Sequence, residues 1–305
     1  MNAIELKALT KRYGKYKAVD NLSFNIRQGD FVGFLGVNGA GKTTTVNIMS
    51  TILTPDRGRA YICGYELGKE DMEIRKSIGV VYQANVLDEI FTVKENLVIR
   101  SQMLGLDDKT IRTRISDLSD ILKLSDIMNK RYRILSGGQK RRCEIAFALM
   151  HSPKILFLDE PTTGLDPSTR VDVWEAVETL RANTEMTVFL TTHYMEEAQA
   201  ADKIIIIDKG QKLAEGTPFE LKQRFAKDSL KLYFDKKNKK RVFDIVGDSK
   251  LITTAYGGYV ESDNPFESAE IAGKLRGIVE GFEIIQGKMD EVFLNVTSRS
   301  ESVNA

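Results

Sequence analysis

Residues 31–44 read FVGFLGVNGAGKTT, and this stretch decides the fold. FVGFL is an apolar run of strand length, preceded by the turn signal Gln28-Gly29-Asp30. GVNGAGKT, Gly36 to Thr43, fits the spacing G-x-x-x-x-G-K-[ST], and TTVNIMSTIL after it has a helical pattern. Strand, glycine loop and helix open an α/β unit. The glycines let the backbone curl until successive N–H groups converge on a phosphate, and the helix N-terminus adds its dipole. The spacing assigns Gly36, Asn38, Gly39, Ala40, Gly41, Lys42, Thr43 and Thr44 to a nucleotide. Lys42 reaches the β- and γ-phosphates, and the Thr43 hydroxyl holds Mg²⁺.

Working outward, KILFLDEPTTGLD (154–166) supplies a second strand. Asp159 stands at its C-terminal end, the edge where open α/β sheets bind ligands, and is assigned to Mg²⁺. Glu160 follows, a carboxylate able to polarise a water for in-line attack on phosphorus. Two further strands, GVVYQ and MTVFLTTH, end in Gln83 and His193, which the same topology brings to the same edge. A third signal is LSGGQ, Leu135 to Gln139, just ahead of the helical run KRRCEIAFALM. It is a second anion-binding helix start, and it lacks a lysine.

The order Tyr13, GVNGAGKTT, Gln83, LSGGQ, ILFLDE, GLD, His193 resembles the ATP-binding cassette family of ATPases, over about residues 3–225. One departure is Val37, where many members carry proline. The resemblance implies that two cassettes pack head to tail, so that LSGGQ of one closes over ATP held by the other. Ser136, Gly137, Gly138 and Gln139 then serve the partner's nucleotide. Tyr13 resembles the residue that stacks on adenine, and Gln83 the one that senses Mg²⁺ and the attacking water. Asp166 resembles the aspartate crossing the dimer interface, and His193 the switch histidine at the γ-phosphate.

The chain has 305 residues, 42% hydrophobic and 29% charged, with formal net charge +1. This is globular composition, and near-neutral charge disfavours nucleic acid as the main partner. Two cysteines, Cys63 and Cys143, suit packing in a reducing cytosol rather than a disulfide framework. The N-terminus lacks a signal-peptide core, and the longest aliphatic run, Ile204 to Ile207, is far too short to span a membrane. The expected fold is a P-loop NTPase cassette over 1–226: mixed sheet core, N-terminal antiparallel strands, and a helical subdomain at about 84–134. Residues 227–305 are expected to form a small α+β domain ending in a disordered tail. There DKKNKKR reads as a solvated turn between strands LKLYF and RVFDIV, followed by a Gly-Gly turn. In the helix over 168–181, Val171, Trp174, Val177 and Leu180 read as the buried face.

The long coiled coil of chromosome-maintenance members is absent from 44–134, and only one cassette is present. The expectation is therefore the motor subunit of a transporter, on the cytoplasmic face of the cell membrane, working as a dimer with separate permease subunits. Val86, Leu87, Ile90 and Phe91 are candidates for a groove receiving a permease helix, or else for packing of the subdomain. GTPFELKQRF and the terminal MDEVFLNVT resemble the daunorubicin-type exporter ATPases, implying export of a hydrophobic compound. Ion, lipid or polysaccharide export, and a stand-alone ATPase with a soluble partner, remain the alternatives.

Overall fold

The computed structural model describes residues 1–182, 184–247, 251–254 and 256–303. They form two compact units, dividing between Leu213 and Ala214. The first opens with a hairpin in which β1 (Asn2–Tyr13) and β2 (Tyr16–Arg27) pair antiparallel, closing with Tyr13 opposite Tyr16. Leu22, Phe24 and Ile26 alternate inward along β2, as one buried face requires. β3 (Phe31–Leu35) buries all of its residues. After the glycine loop comes α1 (Lys42–Met49), then β4 (Arg57–Ile62) and β5 (Tyr65–Glu66), which complete a sheet of order β2-β1-β4-β5.

The chain continues through α2 (Asp71–Ser77), β6 (Ile78–Val81), α3 (Val93–Met103) and α4 (Asp108–Ile121). α5 (Gly137–Leu149), β7 (Ile155–Asp159), α6 (Pro167–Ala182), β8 (Thr187–Thr192), β9 (Lys203–Asp208) and β10 (Gln211–Gly216) follow. The central sheet runs β10-β9-β3-β8-β7-β6, with the β3–β8, β3–β9, β7–β8 and β6–β7 pairs parallel. β3, β7 and β8 are buried throughout, which explains why they read as unbroken apolar runs. Phe189 on β8 anchors the core, its ring 5.2 Å from Phe34, 5.5 Å from Phe157 and 6.2 Å from Phe24. Truncating such a buried ring to alanine costs about 3–5 kcal/mol. The same strand order sets the C-terminal ends of β3, β8, β7 and β6 side by side.

Both α-helices of the 84–134 segment start on a side-chain cap. Thr92 and Glu95 form a reciprocal capping box on α3, and Asp107 accepts from the N–H groups of Lys109 and Thr110 on α4. Leu97, Ile111, Leu118, Leu122, Leu124 and Ile127 are buried. On α6 the inward residues are Val173, Ala176, Val177 and Leu180, while Val171 is 56% exposed. The expected face is thus corrected: spacing by three drifts around a helix of 3.6 residues per turn, and the true stripe follows steps of three and four. Trp174 is half-buried, its ring 5.9 Å from that of Phe31. Both cysteines are free thiols, and burial pushes Cys143 up to about 12, as for an inert packing residue.

The second unit holds α7 (Pro218–Phe225), capped by Thr217 and Glu220 with Pro218 in the first turn. β11 (Asp228–Tyr233), α8 (Lys239–Val246), β12 (Leu251–Thr254), β13 (Gly257–Ser262), α9 (Pro265–Lys274), β14 (Gly281–Ile285) and α10 (Met289–Val303) follow. α7 packs on α10, where Asn295 Nδ2 donates to the Phe225 carbonyl at 2.7 Å. That packing draws α7 into the second unit, so the division falls ahead of the change in composition at 226.

RVFDIV is helix, not strand. Val242 is fully buried, and Phe243 and Val246 join it against the core, a helical i, i+1, i+4 set. Alternation over so short a segment cannot separate the two periods. The second strand of the expected pair is instead supplied by β13, which pairs with β11 and β12 in the order β12-β13-β11-β14. Gly257 and Gly258 belong to β13 rather than to a turn. The expected disordered tail, from Thr297 on, is corrected as well: the backbone is helical through Val303 as the end of α10, and 304–305 lie outside the described residues.

Candidate functional site

The glycine loop needs its glycines for close approach. Gly41 caps α1 at φ 107, and a Cβ there would lie 2.2 Å from the Ala18 carbonyl oxygen. This tight seat turns Lys42 inward, leaving it only 5% exposed. Its Nζ donates to the carbonyls of Gly36 at 2.8 Å and Val37 at 3.3 Å, and stands 3.2 Å from Glu160 Oε1. A lysine buried this deeply needs such partners.

Glu160 is the meeting point. It lies one residue past β7 at φ 48, a left-handed conformation for a residue with a side chain. Its N–H donates to Thr191 of β8, to the carbonyl at 3.0 Å and the hydroxyl at 3.2 Å. These bonds hold the strained turn and fix the carboxylate, which is 7% exposed. Gln83 Nε2 donates to Glu160 Oε2 at 3.3 Å, as does Thr163 Oγ1 at 3.3 Å. His193 Nδ1 stands 3.5 Å from the same oxygen. Residues spread from position 42 to position 193 therefore converge on one carboxylate.

Asp159, 1% exposed, sits beside this group. Burial pushes its carboxyl above the ordinary range, opposed by hydrogen bonds from Thr191 and Thr43. The Thr191 hydroxyl donates to Asp159 Oδ1. A buried carboxylate beside the Thr43 hydroxyl is the hard-oxygen set that suits Mg²⁺. Among the described residues no group of three or more His, Cys, Asp or Glu could hold a metal by itself, and Mg²⁺ is commonly completed by substrate phosphates and water.

An open cleft of about 530 Å³ runs along these groups. Tyr13, Asn38, Gly39, Gly41, Lys42, Thr43, Thr44, Gln83, Glu160 and His193, all candidates from the sequence, line it. Three further lining residues escaped sequence reasoning: Tyr16, Ala18 and Thr163. Tyr16 donates its hydroxyl to the Gly39 carbonyl at 2.9 Å, facing Tyr13 across the hairpin. The spacing Tyr13-Gly-Lys-Tyr16, a two-residue turn between aromatics, was the available signal.

Ser136, Gly137, Gly138, Gln139 and Asp166 lie outside the cleft. Ser136 caps α5, its hydroxyl accepting from Gln139 N–H at 3.3 Å while Gln139 Oε1 accepts from Ser136 N–H at 3.1 Å. Ser136 and Gly137 are exposed and Gly138 is buried. A Cβ on Gly138 would lie 2.0 Å from Thr169 Cγ2. Asp166 caps α6: it accepts from Ser168 Oγ at 2.6 Å, Thr169 Oγ1 at 2.6 Å and Thr169 N–H at 3.1 Å. These bonds hold its carboxyl well below the usual range. The signature loop and the Asp166 turn thus touch each other through Gly138 and Thr169.

Strand, glycine loop, inward lysine and an Asp-Glu pair on a neighbouring strand end define a P-loop nucleotide hydrolase. Residues 19–163 match the family model described as ABC transporter. The daunorubicin resistance ATP-binding protein DrrA3 of Streptomyces coeruleorubidus is 36% identical, over 99% of this chain and 98% of its own. The Nod factor export ATP-binding protein I of Ralstonia nicotianae is 43% identical over 72% of this chain and 68% of its own. A solved dimer of the cassette MJ0796, bound to ADP and phosphate, is 29% identical with TM-score 0.64, covering 70% of this chain and 98% of that one. The chain belongs to the ABC transporter ATPase family, and its activity is ATP hydrolysis.

Proposed function

We propose that this ATPase is the motor subunit of a membrane exporter of hydrophobic, drug-like compounds, and that Glu160 is its general base. The observation carrying the base assignment is the convergence of Lys42, Gln83, Thr163 and His193 on the Glu160 carboxylate. ATP lies along the glycine loop, its adenine against the hairpin aromatics Tyr13 and Tyr16. Thr43, Asp159 and Gln83 would hold Mg²⁺, which would supply charge neutralisation on the phosphates. Glu160 takes a proton from water as the water oxygen bonds to the γ-phosphorus. The bond between that phosphorus and the bridging oxygen breaks, and ADP leaves. Gln83 and His193 orient that water and the γ-phosphate.

The exposed Ser136–Gly137 end of α5 closes the site of a second cassette, so ATP holds the dimer and hydrolysis releases it. A dimer in the solved relative supports this reading, and the near full-length match to a daunorubicin resistance protein supports the export class. The match to the Nod factor export ATP-binding protein I favours a second reading, in which the exported compound is of the Nod factor kind rather than drug-like. Among the described residues no helix is long and apolar enough to cross a membrane. The cargo's path is a separate permease in the cytoplasmic membrane, a reading that the matches to resistance and export ATP-binding proteins support. Ile90, 70% exposed, and Phe91, 38% exposed, are the apolar residues offered to it. Leu87 is 5% exposed and packs inward instead.

The test is Glu160→Gln in Mg-ATP. Hydrolysis falls by two to three orders of magnitude, roughly the scale of a lost general base. ATP binding persists, and size-exclusion shows an ATP-dependent dimer. A variant that hydrolyses at the wild-type rate removes Glu160 from the role. One that binds ATP yet stays monomeric removes the self-closing dimer.

A further inference from the structure

The segment leading out of β6 is irregular, and side chains satisfy its backbone. Arg141 of α5 donates to the Tyr82 carbonyl at 2.6 Å and the Gln83 carbonyl at 3.4 Å. Glu144, one turn on, accepts from Val86 N–H at 2.9 Å and Leu87 N–H at 3.1 Å. The same Glu144 oxygen accepts from the Tyr132 hydroxyl at 2.7 Å. From α3, Arg100 donates to the Val86 carbonyl at 2.8 Å, and the Asn96 amide brackets Asp88 through both its N–H and its carbonyl.

Arg141, Glu144 and Tyr132 are 5%, 2% and 0% exposed. Burial lowers Arg141, and the Glu144 charge opposes that shift. A cation and an anion have been desolvated within one helix turn, and each directs its hydrogen bonds to other groups. Both face main-chain groups on the two sides of Gln83. Between the tethers stand Ala84 and Asn85, exposed. The ATP cleft contains neither Arg141 nor Glu144.

We propose that Arg141 and Glu144 are positioning residues for Gln83: from the helix that Ser136 caps, they hold the chain on either side of Gln83 and so present its amide to Glu160. The inference rests on the reading of Gln83 as a water-orienting residue. Its consequence is directional. Any displacement of α5, whose N-terminal end faces outward, carries the backbone of Gln83 with it. Closure on a partner is thereby coupled to the amide 3.3 Å from Glu160.

The experiment is a double-mutant cycle on the purified full chain, reading Mg-ATP turnover against ATP concentration. Gln83→Ala is expected to lower kcat about a hundredfold, the scale of a misplaced reacting group, and Arg141→Met about tenfold, any change in KM for Mg-ATP having the same direction in both. The double variant turns over no more slowly than Gln83→Ala, because nothing remains for Arg141 to place. Glu144→Gln keeps an oxygen acceptor for the two N–H groups and retains most of the turnover, whereas Glu144→Leu does not. Should Arg141→Met fail to fold, Arg141→Lys carries the same cycle, its ammonium replacing a planar fork. Effects that multiply overturn the tether and leave the role of Gln83 standing. A Gln83→Ala variant with wild-type kcat overturns that role, and the inference falls with it.

Discussion

The two glycine loops use the same backbone chemistry and end in opposite conditions. Gly36–Thr43 winds around a buried lysine whose charge meets Glu160 at 3.2 Å in its own chain. Ser136–Gln139 begins a helix equally able to bind an anion, yet Ser136 and Gly137 are exposed and the cleft beside Lys42 contains neither. The first loop brings its cation and its carboxylate with it. The second brings a hydroxyl and N–H groups only. The difference teaches that one chain holds a phosphate loop with its own cation and a second helix start without one, which on the proposed reading acts over another molecule's phosphate.

The sharpest way to break this comparison is at Lys42. Lys42→Ala removes the one side-chain cation of the first grip, so turnover should fall by about two to three orders of magnitude. Nucleotide-binding fluorescence and phosphate release check it. Turnover near wild type would mean that the backbone grip suffices, as it must in the second loop.

Next comes Gly138→Val. The added Cβ would sit 2.0 Å from Thr169 Cγ2, so Thr169 must shift, at a cost of about 1–3 kcal/mol. Because Gly138 is outside the cleft, a single chain should bind ATP as before while dimer-dependent hydrolysis is lost. Loss of ATP binding by the monomer would show that the two loops are not separate.

Asp159→Asn sharpens the contrast in burial. Burial raises the folded carboxyl, so its favourable share of stability is full below the ordinary carboxylate range and is lost as pH rises through the raised value. At neutral pH the neutral amide should therefore raise Tm of the nucleotide-free chain, by about 2–4 °C per kcal/mol recovered. The gain should vanish as pH falls into the carboxylate range. Calorimetry across pH tests the sign, and a lowered Tm at neutral pH would overturn it.

The smallest effect belongs to Tyr16→Phe. It removes one half-exposed hydrogen bond to Gly39, worth about 0.5–1.5 kcal/mol, so ATP affinity should weaken a few-fold and kcat should hold. Titration calorimetry checks it.

The cleft was largely legible because its parts are tied to strand ends, and strands covered on both faces are continuous apolar runs that announce where they stop. Tyr16 and Thr163 were less visible. Each is an ordinary residue beside a recognisable one, and only the hairpin closure and the turn after Glu160 aim them inward. The second unit was read less well, because RVFDIV carries an apolar pattern compatible with both periods.

Residue order alone determined that this chain holds a phosphate loop, an Asp-Glu strand end and a second helix start without a lysine, since each is a local pattern with its own geometry. Only the tertiary structure decided that Lys42, Gln83, Thr163 and His193 meet at one carboxylate, and that Arg141 and Glu144 reach back to the Gln83 backbone. The physical reason is that those contacts join distant parts of the chain, and the strand order and helix packing that bring them together come from burying apolar surface far from the site.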